Sequence, residues 1–192
     1  MNFDLGPDLR EHRKEGEHED YAVLRHVLSL FSVDDVAVGY ALEFGVATGT
    51  TLAMIAKHLP VIGFDSFEGL PEDWRDDFKA GAFKGVRPSG PIPNATIVEG
   101  QFIDTVPEYQ WPSPILLVHI DCDLYSSTKT ALDALAHSGV GLGGTYFVFD
   151  EFFGYDGAEQ HEQRAFSEFI ADTGYEYEVI GHGREQWAVK IV

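Results

Sequence analysis

Two alternating segments close the sequence, Tyr175 to Ile180 and Gln186 to Val192, and only Gly181, His182, Gly183, Arg184 and Glu185 separate them. A parallel crossover needs roughly a dozen residues or more, so these two strands pair as an antiparallel hairpin if they pair at all. The chain before them reads differently. Apolar runs at Tyr40 to Phe44, Val61 to Asp65, Ala95 to Glu99, Ile115 to Ile120 and Thr145 to Phe149 alternate with segments of helical period. Those segments carry Tyr21, Leu24, Leu28 and Phe31, then Leu52, Ile55, Ala56 and Leu59, then Ala131, Leu132 and Leu135, then Ala165, Phe166, Phe169 and Ile170 on single faces. Ser32 to Asp35 is expected to end the first helix, Pro60 to stop the second and Gly174 to cap the last. Strand–helix alternation predicts parallel strands with helices on both faces.

The predicted fold class is therefore α/β: a Rossmann-like, doubly wound sheet of about seven strands, mostly parallel, with an antiparallel C-terminal hairpin strand. At 192 residues the chain is expected to be one domain, 1–192, with residues 1–20 a charged flexible arm or lid. No run of about 18 apolar residues suggests a membrane span, and the N-terminus lacks the apolar stretch of a secretory signal. The single cysteine, Cys122, excludes an internal disulfide and fits a reducing cytoplasm. The net charge of −19 disfavours nucleic acid and anionic membranes as partners. It favours cations, although solubility alone also accounts for it. A homodimer is left open.

Glu43-Phe44-Gly45-Val46-Ala47-Thr48-Gly49 ends the first strand and opens a helix. A dinucleotide loop reads G-x-G-x-x-G; this one reads E-x-G-x-x-x-G, which suits a ligand with no pyrophosphate at the helix start. Glu43 could hold the ammonium group of S-adenosylmethionine, directly or through water. Gly45 permits a tight turn, and Gly49 lets the helix begin close to a ligand, with Thr48 between them. Asp65, about twenty residues on at the end of the second strand, is placed to accept ribose hydroxyls; a turn cap is the competing reading. The segment Ser66 to Asn94 is rich in Gly and Pro and carries Trp74, Phe78 and Phe83, with a short helix expected around Glu72 to Lys79. Such long loops are usually functional or mobile.

Asp121 and Asp123 end the fourth strand, and Asp150 and Glu151 the fifth. The C-terminal strand ends of an open parallel sheet face one crevice, so four carboxylates converge and repel one another unless a cation joins them. Hard oxygen ligands suit Mg²⁺ or Ca²⁺. Helix capping is the alternative for some of them, Asp123 above all. Asp121 is expected beside both metal and cofactor. His161 is a candidate general base, with a solvated helix-start histidine as the plain alternative, and His119 is expected to be a buried structural residue.

Leu42-Glu43-Phe44-Gly45 with Gly49, Gly63-Phe64-Asp65-Ser66-Phe67-Glu68-Gly69-Leu70-Pro71, Gly100-Gln101-Phe102 with Asp104-Thr105, Ile120-Asp121-Cys122-Asp123-Leu124-Tyr125-Ser126-Ser127-Thr128, and Phe149-Asp150-Glu151 together resemble the macrocin O-methyltransferase family, whose members are class I S-adenosylmethionine-dependent methyltransferases. The resemblance runs from about Leu42 to the end. It implies S-adenosylmethionine as donor, a divalent metal such as Mg²⁺, and a hydroxyl acceptor, often on a sugar. It implies that Asp65 binds ribose, that Ser66 and Phe67 line the nucleoside site, and that Gln101 and Phe102 flank adenine. Asp121, Asp150 and Glu151 match the metal carboxylates, although the family's usual final pair is Asp-Asp. The sequence lacks the N-terminal extension that antibiotic-tailoring members place around the acceptor, which argues against a macrolide-like substrate.

The expected reaction is in-line methyl transfer to an oxygen of a sugar or glycosylated small molecule, with Asp121 or His161 taking the proton. Two adjacent hydroxyls could chelate the metal, so a vicinal diol is the preferred acceptor. Pro71 to Pro93 and the N-terminal arm would close over it. The rival readings are a metal-dependent glycosyltransferase using Asp121-Cys122-Asp123, a non-catalytic S-adenosylmethionine-binding subunit and, disfavoured by the glycine spacing and the hairpin, a nicotinamide reductase.

Overall fold

A computed structural model describes residues 3–12 and 21–192. Apolar runs build β1 (Tyr40–Phe44), β2 (Val61–Asp65), β3 (Ala95–Glu99), β4 (Ile115–Ile120) and β5 (Tyr146–Phe149), and the two closing segments build β6 (Tyr177–His182) and β7 (Trp187–Ile191). They form a seven-stranded sheet of order β3-β2-β1-β4-β5-β7-β6. The first five strands are parallel. The short linker after β6 forces a hairpin, and β7 inserts antiparallel between β5 and β6.

Successive side chains on a strand face opposite sides, and the core divides accordingly. Leu42, Phe44, Val118, Ile120, Phe147 and Phe149 pack with Ala131, Leu132 and Leu135 of α5 (Tyr125–His137) and Ala165, Phe166 and Phe169 of α6 (Glu162–Thr173). Ala41, Val61, Leu117 and Val148 pack with Val23, Leu24, Val27 and Leu28 of α1 (Ala22–Ser29) and Leu52 and Ile55 of α3 (Thr50–Ile55). Burying one such side chain fully contributes about 1.5–3 kcal/mol. Trp187 is wholly buried and stacks on Phe152 at 4.3 Å.

The structure departs from the sequence expectation in several places. α1 ends earlier than expected, at Ser29 with Leu30 as its C-cap, and Ser32 to Asp35 instead starts α2 (Val33–Val38): Ser32 and Asp35 form a reciprocal capping box. A four-residue helix, α4 (Phe102–Thr105), follows Gln101. No helix forms at 72–79; the segment is a series of turns held by backbone bonds from Leu70 N to Ala82 O and from Gly85 N to Phe67 O. Within the expected arm, Pro7 to Leu9 lie against the end of β6. Leu9 N donates to His182 O and His182 N to Pro7 O, at 2.7 and 2.9 Å, and Phe3 packs on Phe152 and Trp187. Residues 1–2 and 13–20 of the expected arm fall outside the described residues. No helix among the described residues is long and apolar enough to cross a membrane.

Candidate functional site

The C-terminal ends of β1, β2, β4 and β5 open into a cavity of about 490 Å³, within the ordinary range of small-molecule sites. Gly45 makes this convergence possible. Its φ is +93°, and a side chain there would collide with the backbone carbonyl of Asp121, so β1 and β4 can close together only over a glycine.

On one side of the cavity lie Gly45, Ala47, Asp65, Ser66, Gln101, Phe102 and Ile103. Asp65 holds the loop as well as facing the cavity. Its Oδ2 accepts the Val46 and Ala47 amides at 2.8 and 2.9 Å, and its Oδ1 accepts the Phe67 amide at 2.7 Å. Three other expected cofactor residues do not line the cavity. Phe67 is buried with its ring under the Arg87 guanidinium, at 4.5 Å. Gly49 caps α3 in a left-handed conformation against Pro88 and Ile92. Thr48 is exposed, with its hydroxyl 2.9 Å from that of Thr50.

Glu43 is fully buried beneath the floor rather than lining it. It stands opposite His119 across the β1–β4 ladder, with Oε1 3.0 Å from Nδ1. Burial opposes a charge on His119, but the hydrogen bond and the charge of Glu43 outweigh it and raise the histidine to about 9. The histidine is buried as expected, and the charges of Asp121 and Asp150 above it add to the rise.

Asp121, Asp150 and Glu151 bring one carboxylate oxygen each within 4.8 Å of one another. Burial pushes Asp121 up to about 6, with the charges of Glu43 and Asp65 adding to the rise and His119 opposing it. Burial and the charge of Asp150 raise Glu151 well above its ordinary value, and its Oε2 is buried with no hydrogen-bond partner. This donor set fits a hard divalent cation: oxygen ligands only, mutual repulsion, and an unsatisfied buried oxygen.

Asp123 stands beside this trio. It takes a left-handed φ of +64° and lines the cavity. Burial and the neighbouring Asp121 raise it to about 8. It does not cap α5, which has Leu124 at its N-cap and no side-chain cap bond. Glu162 is a further member that the sequence did not single out. It is fully buried at the start of α6, and neither carboxylate oxygen has a hydrogen-bond partner. The Glu151 amide lies near it but outside hydrogen-bonding geometry, and desolvation together with Asp123 and Asp150 pushes its carboxyl well up. His161, the other expected base, is absent from the cavity wall; it is half-buried beside Tyr155, and burial lowers its pKa.

The far wall comes from the 66–94 segment. Trp74, Phe78 and Phe83 form a continuous aromatic ledge, with centroid distances of 5.3 and 5.2 Å. Ser126 Oγ donates to Glu72 at 2.6 Å and ties this segment to α5.

No family model matches the chain, and no curated protein matches it in sequence. Solved structures do match. The chain is similar to the calicheamicin methyltransferase CalS11, at 20% identity over 99% of both chains with a TM-score of 0.61. It is similar to the O-methyltransferase NovP, at 21% identity over 88% of this chain and 78% of that one, TM-score 0.62. A second CalS11 structure, of an apo TDP-rhamnose 3'-O-methyltransferase, matches at 22% identity over 89% and 76%, TM-score 0.55. Likeness at these identities establishes the fold: a mixed seven-stranded sheet of the Rossmann-like kind seen in methyltransferases.

Proposed function

We propose that the chain is an S-adenosylmethionine-dependent O-methyltransferase, assisted by a divalent cation, that acts on a hydroxyl of a sugar or glycosylated small molecule. One observation carries the reading. Asp121 belongs both to the cavity wall that continues through Gly45, Asp65 and Phe102 and to the carboxylate trio with Asp150 and Glu151. A wall suited to a nucleoside and a carboxylate trio suited to a cation therefore share one side chain. The CalS11 and NovP folds support the reading, as does the resemblance to the macrocin O-methyltransferase family.

A bound S-adenosylmethionine would supply an electrophilic methyl group, and a bound Mg²⁺ would polarise the acceptor hydroxyl. The chain's own residues do the rest. Phe102 and Ile103 offer apolar faces to adenine, and Asp65 keeps the loop amides of Val46 and Ala47 in place. Trp74, Phe78 and Phe83 give a sugar ring a surface to stack on and exclude water. Asp123 is the better proton acceptor. It lines the cavity beside Asp121, whereas His161 does not line it. Asp121 remains the alternative base.

The glycosyltransferase reading is less favoured, because Asp121 joins the cation trio while Asp123 does not. The net charge of −19 suits a small-molecule acceptor better than nucleic acid. Calorimetry with S-adenosylhomocysteine, followed by labelled-methyl transfer to nucleotide sugars, free glycosides and catechols with and without chelator, tests the proposal. Binding of S-adenosylhomocysteine and Mg²⁺-dependent transfer to a sugar hydroxyl are expected. Trp74→Ala should raise the acceptor KM far more than it weakens donor binding. No affinity for S-adenosylhomocysteine, with tight binding of a uridine nucleotide, would end the idea.

A further inference from the structure

Arg75 occupies an unusual position between the two halves of the cavity. Its guanidinium carbon lies 3.8 Å from the ring centroid of Trp74 and 4.4 Å from that of Tyr155. Its Nη1 and Nη2 both donate to Glu185 Oε2, at 3.1 and 3.2 Å. The side chains of this pair are only 27% and 18% exposed, so the contact is shielded from water on most sides. A planar guanidinium seated in the corner of two rings that meet edge-to-face, and held at its edge by a carboxylate, has little freedom left.

Both partners of Arg75 lead to the carboxylate centre. Tyr155 Oη donates to the Glu151 carbonyl at 3.2 Å. The Glu185 carbonyl accepts the Phe152 amide at 2.9 Å and the Phe153 amide at 3.3 Å, directly after Glu151. The adjoining Gln186 donates from Nε2 to the Asp150 carbonyl at 3.1 Å. In the other direction, Arg75 lies under Trp74, which begins the aromatic ledge through Phe78 to Phe83. One guanidinium thus touches the acceptor-side ledge, the tyrosine that holds the Glu151 carbonyl and the glutamate whose carbonyl holds the two amides that follow.

We propose that Arg75 is a positioning residue that couples the two sites, so that cation binding at Asp121, Asp150 and Glu151 and ordering of the 71–93 segment reinforce each other. This rests on the cation reading of the site given above. A cation that pulls Glu151 into a fixed position fixes Tyr155 and the Glu185 carbonyl, and through them the seat of Arg75. Coupling of this kind is reciprocal: whatever orders the aromatic ledge must raise the affinity for the cation by the same factor.

The 71–93 segment reports its own ordering. Lys79 and Lys84 carry exposed side chains, 60% and 67% accessible, and are sites for trypsin. In the full chain, saturating Mg²⁺ should slow cleavage after Lys79 and Lys84 at least about fivefold, read by mass spectrometry of the products. Calorimetry with Mn²⁺ should give an affinity about five- to tenfold weaker in Arg75→Met and in Glu185→Gln than in the wild type. S-adenosylhomocysteine affinity should stay within about twofold in both variants, and Mg²⁺ should no longer protect the segment. Near-ultraviolet circular dichroism confirms that the variants are folded, and using two variants guards against failure of one. Unchanged Mn²⁺ affinity in both, or cleavage of the wild type indifferent to Mg²⁺, overturns the coupling and leaves the methyltransferase reading intact. Absence of Mn²⁺ binding to the wild type overturns both the coupling and the cation centre.

Discussion

Replacing Asp65 with alanine should damage the fold as well as the donor site, and the structure sets the size of the damage. The carboxylate accepts three backbone amides, from Val46, Ala47 and Phe67, at 2.7 to 2.9 Å. A hydrogen bond to a charged group is worth about 1.5–3 kcal/mol. Asp65 is only half-buried, so the lower end applies to each bond. The three bonds share one acceptor group and will not add fully, which leaves a loss of about 3–4 kcal/mol. For a chain of this length that lowers Tm by roughly 10 °C. Asp65→Asn keeps one acceptor oxygen and turns an amino group towards an amide donor, so about half the loss is expected. Denaturant unfolding of the three proteins gives the energies, and calorimetry with S-adenosylhomocysteine gives the affinity. An alanine variant that melts within about 2 °C of the wild type, yet no longer binds S-adenosylhomocysteine, would refute the argument: Asp65 would then be a ligand group and not the tie that holds the loop.

In chelator, stability should fall as pH rises from about 5 to 9. Asp121 and Asp123 are raised to about 6 and 8, and Glu151 and Glu162 are raised too, so the native state holds protons that the unfolded chain has released above about pH 4. The stability that His119 contributes is complete below its unfolded value and is lost as pH rises through about 9, which is the same direction. Mg²⁺ should flatten the slope, and a Tm in chelator that is level or rising over that range would contradict the account. Gly45→Ala must accept both a positive φ and a clash with the Asp121 carbonyl. It should cost about 3–5 kcal/mol, whereas Gly143→Ala, which meets nothing within 4 Å, should leave the thermal melt within about 2 °C of the wild type.

The strands were legible because they are apolar runs bounded by turn residues: β2, β3 and β4 fall where the sequence places them, and the short linker before β7 dictates its direction. The carboxylate trio was legible because strand ends in a parallel sheet converge whatever lies between them. What remained hidden depends on tertiary placement. Glu162 in a helix's first turn reads as an ordinary partner of the helix dipole, and nothing local shows that this turn faces Asp123. Asp123 reads as a cap, and only its left-handed backbone turns it towards the cavity. Arg75 carries no motif at all; its partners Tyr155 and Glu185 are distant in sequence. Ser32 to Asp35 read as the end of a helix, but α1 stops at Ser29 and the capping box starts α2 instead.

The insertion of β7 between β5 and β6 bears on how the protein is made. Synthesis proceeds from β5 to β6 before β7 exists, yet in the sheet neither β5 nor β6 reaches the other except through β7. Until that strand leaves the ribosome, β5 presents an open edge flanked by Phe147 and Phe149, and Trp187, the largest wholly buried side chain, has not arrived to cover them. An unpaired apolar edge of this kind recruits other chains. A nascent chain stalled before Trp187 should therefore be a client of holding chaperones, and release of the remaining strand should free it.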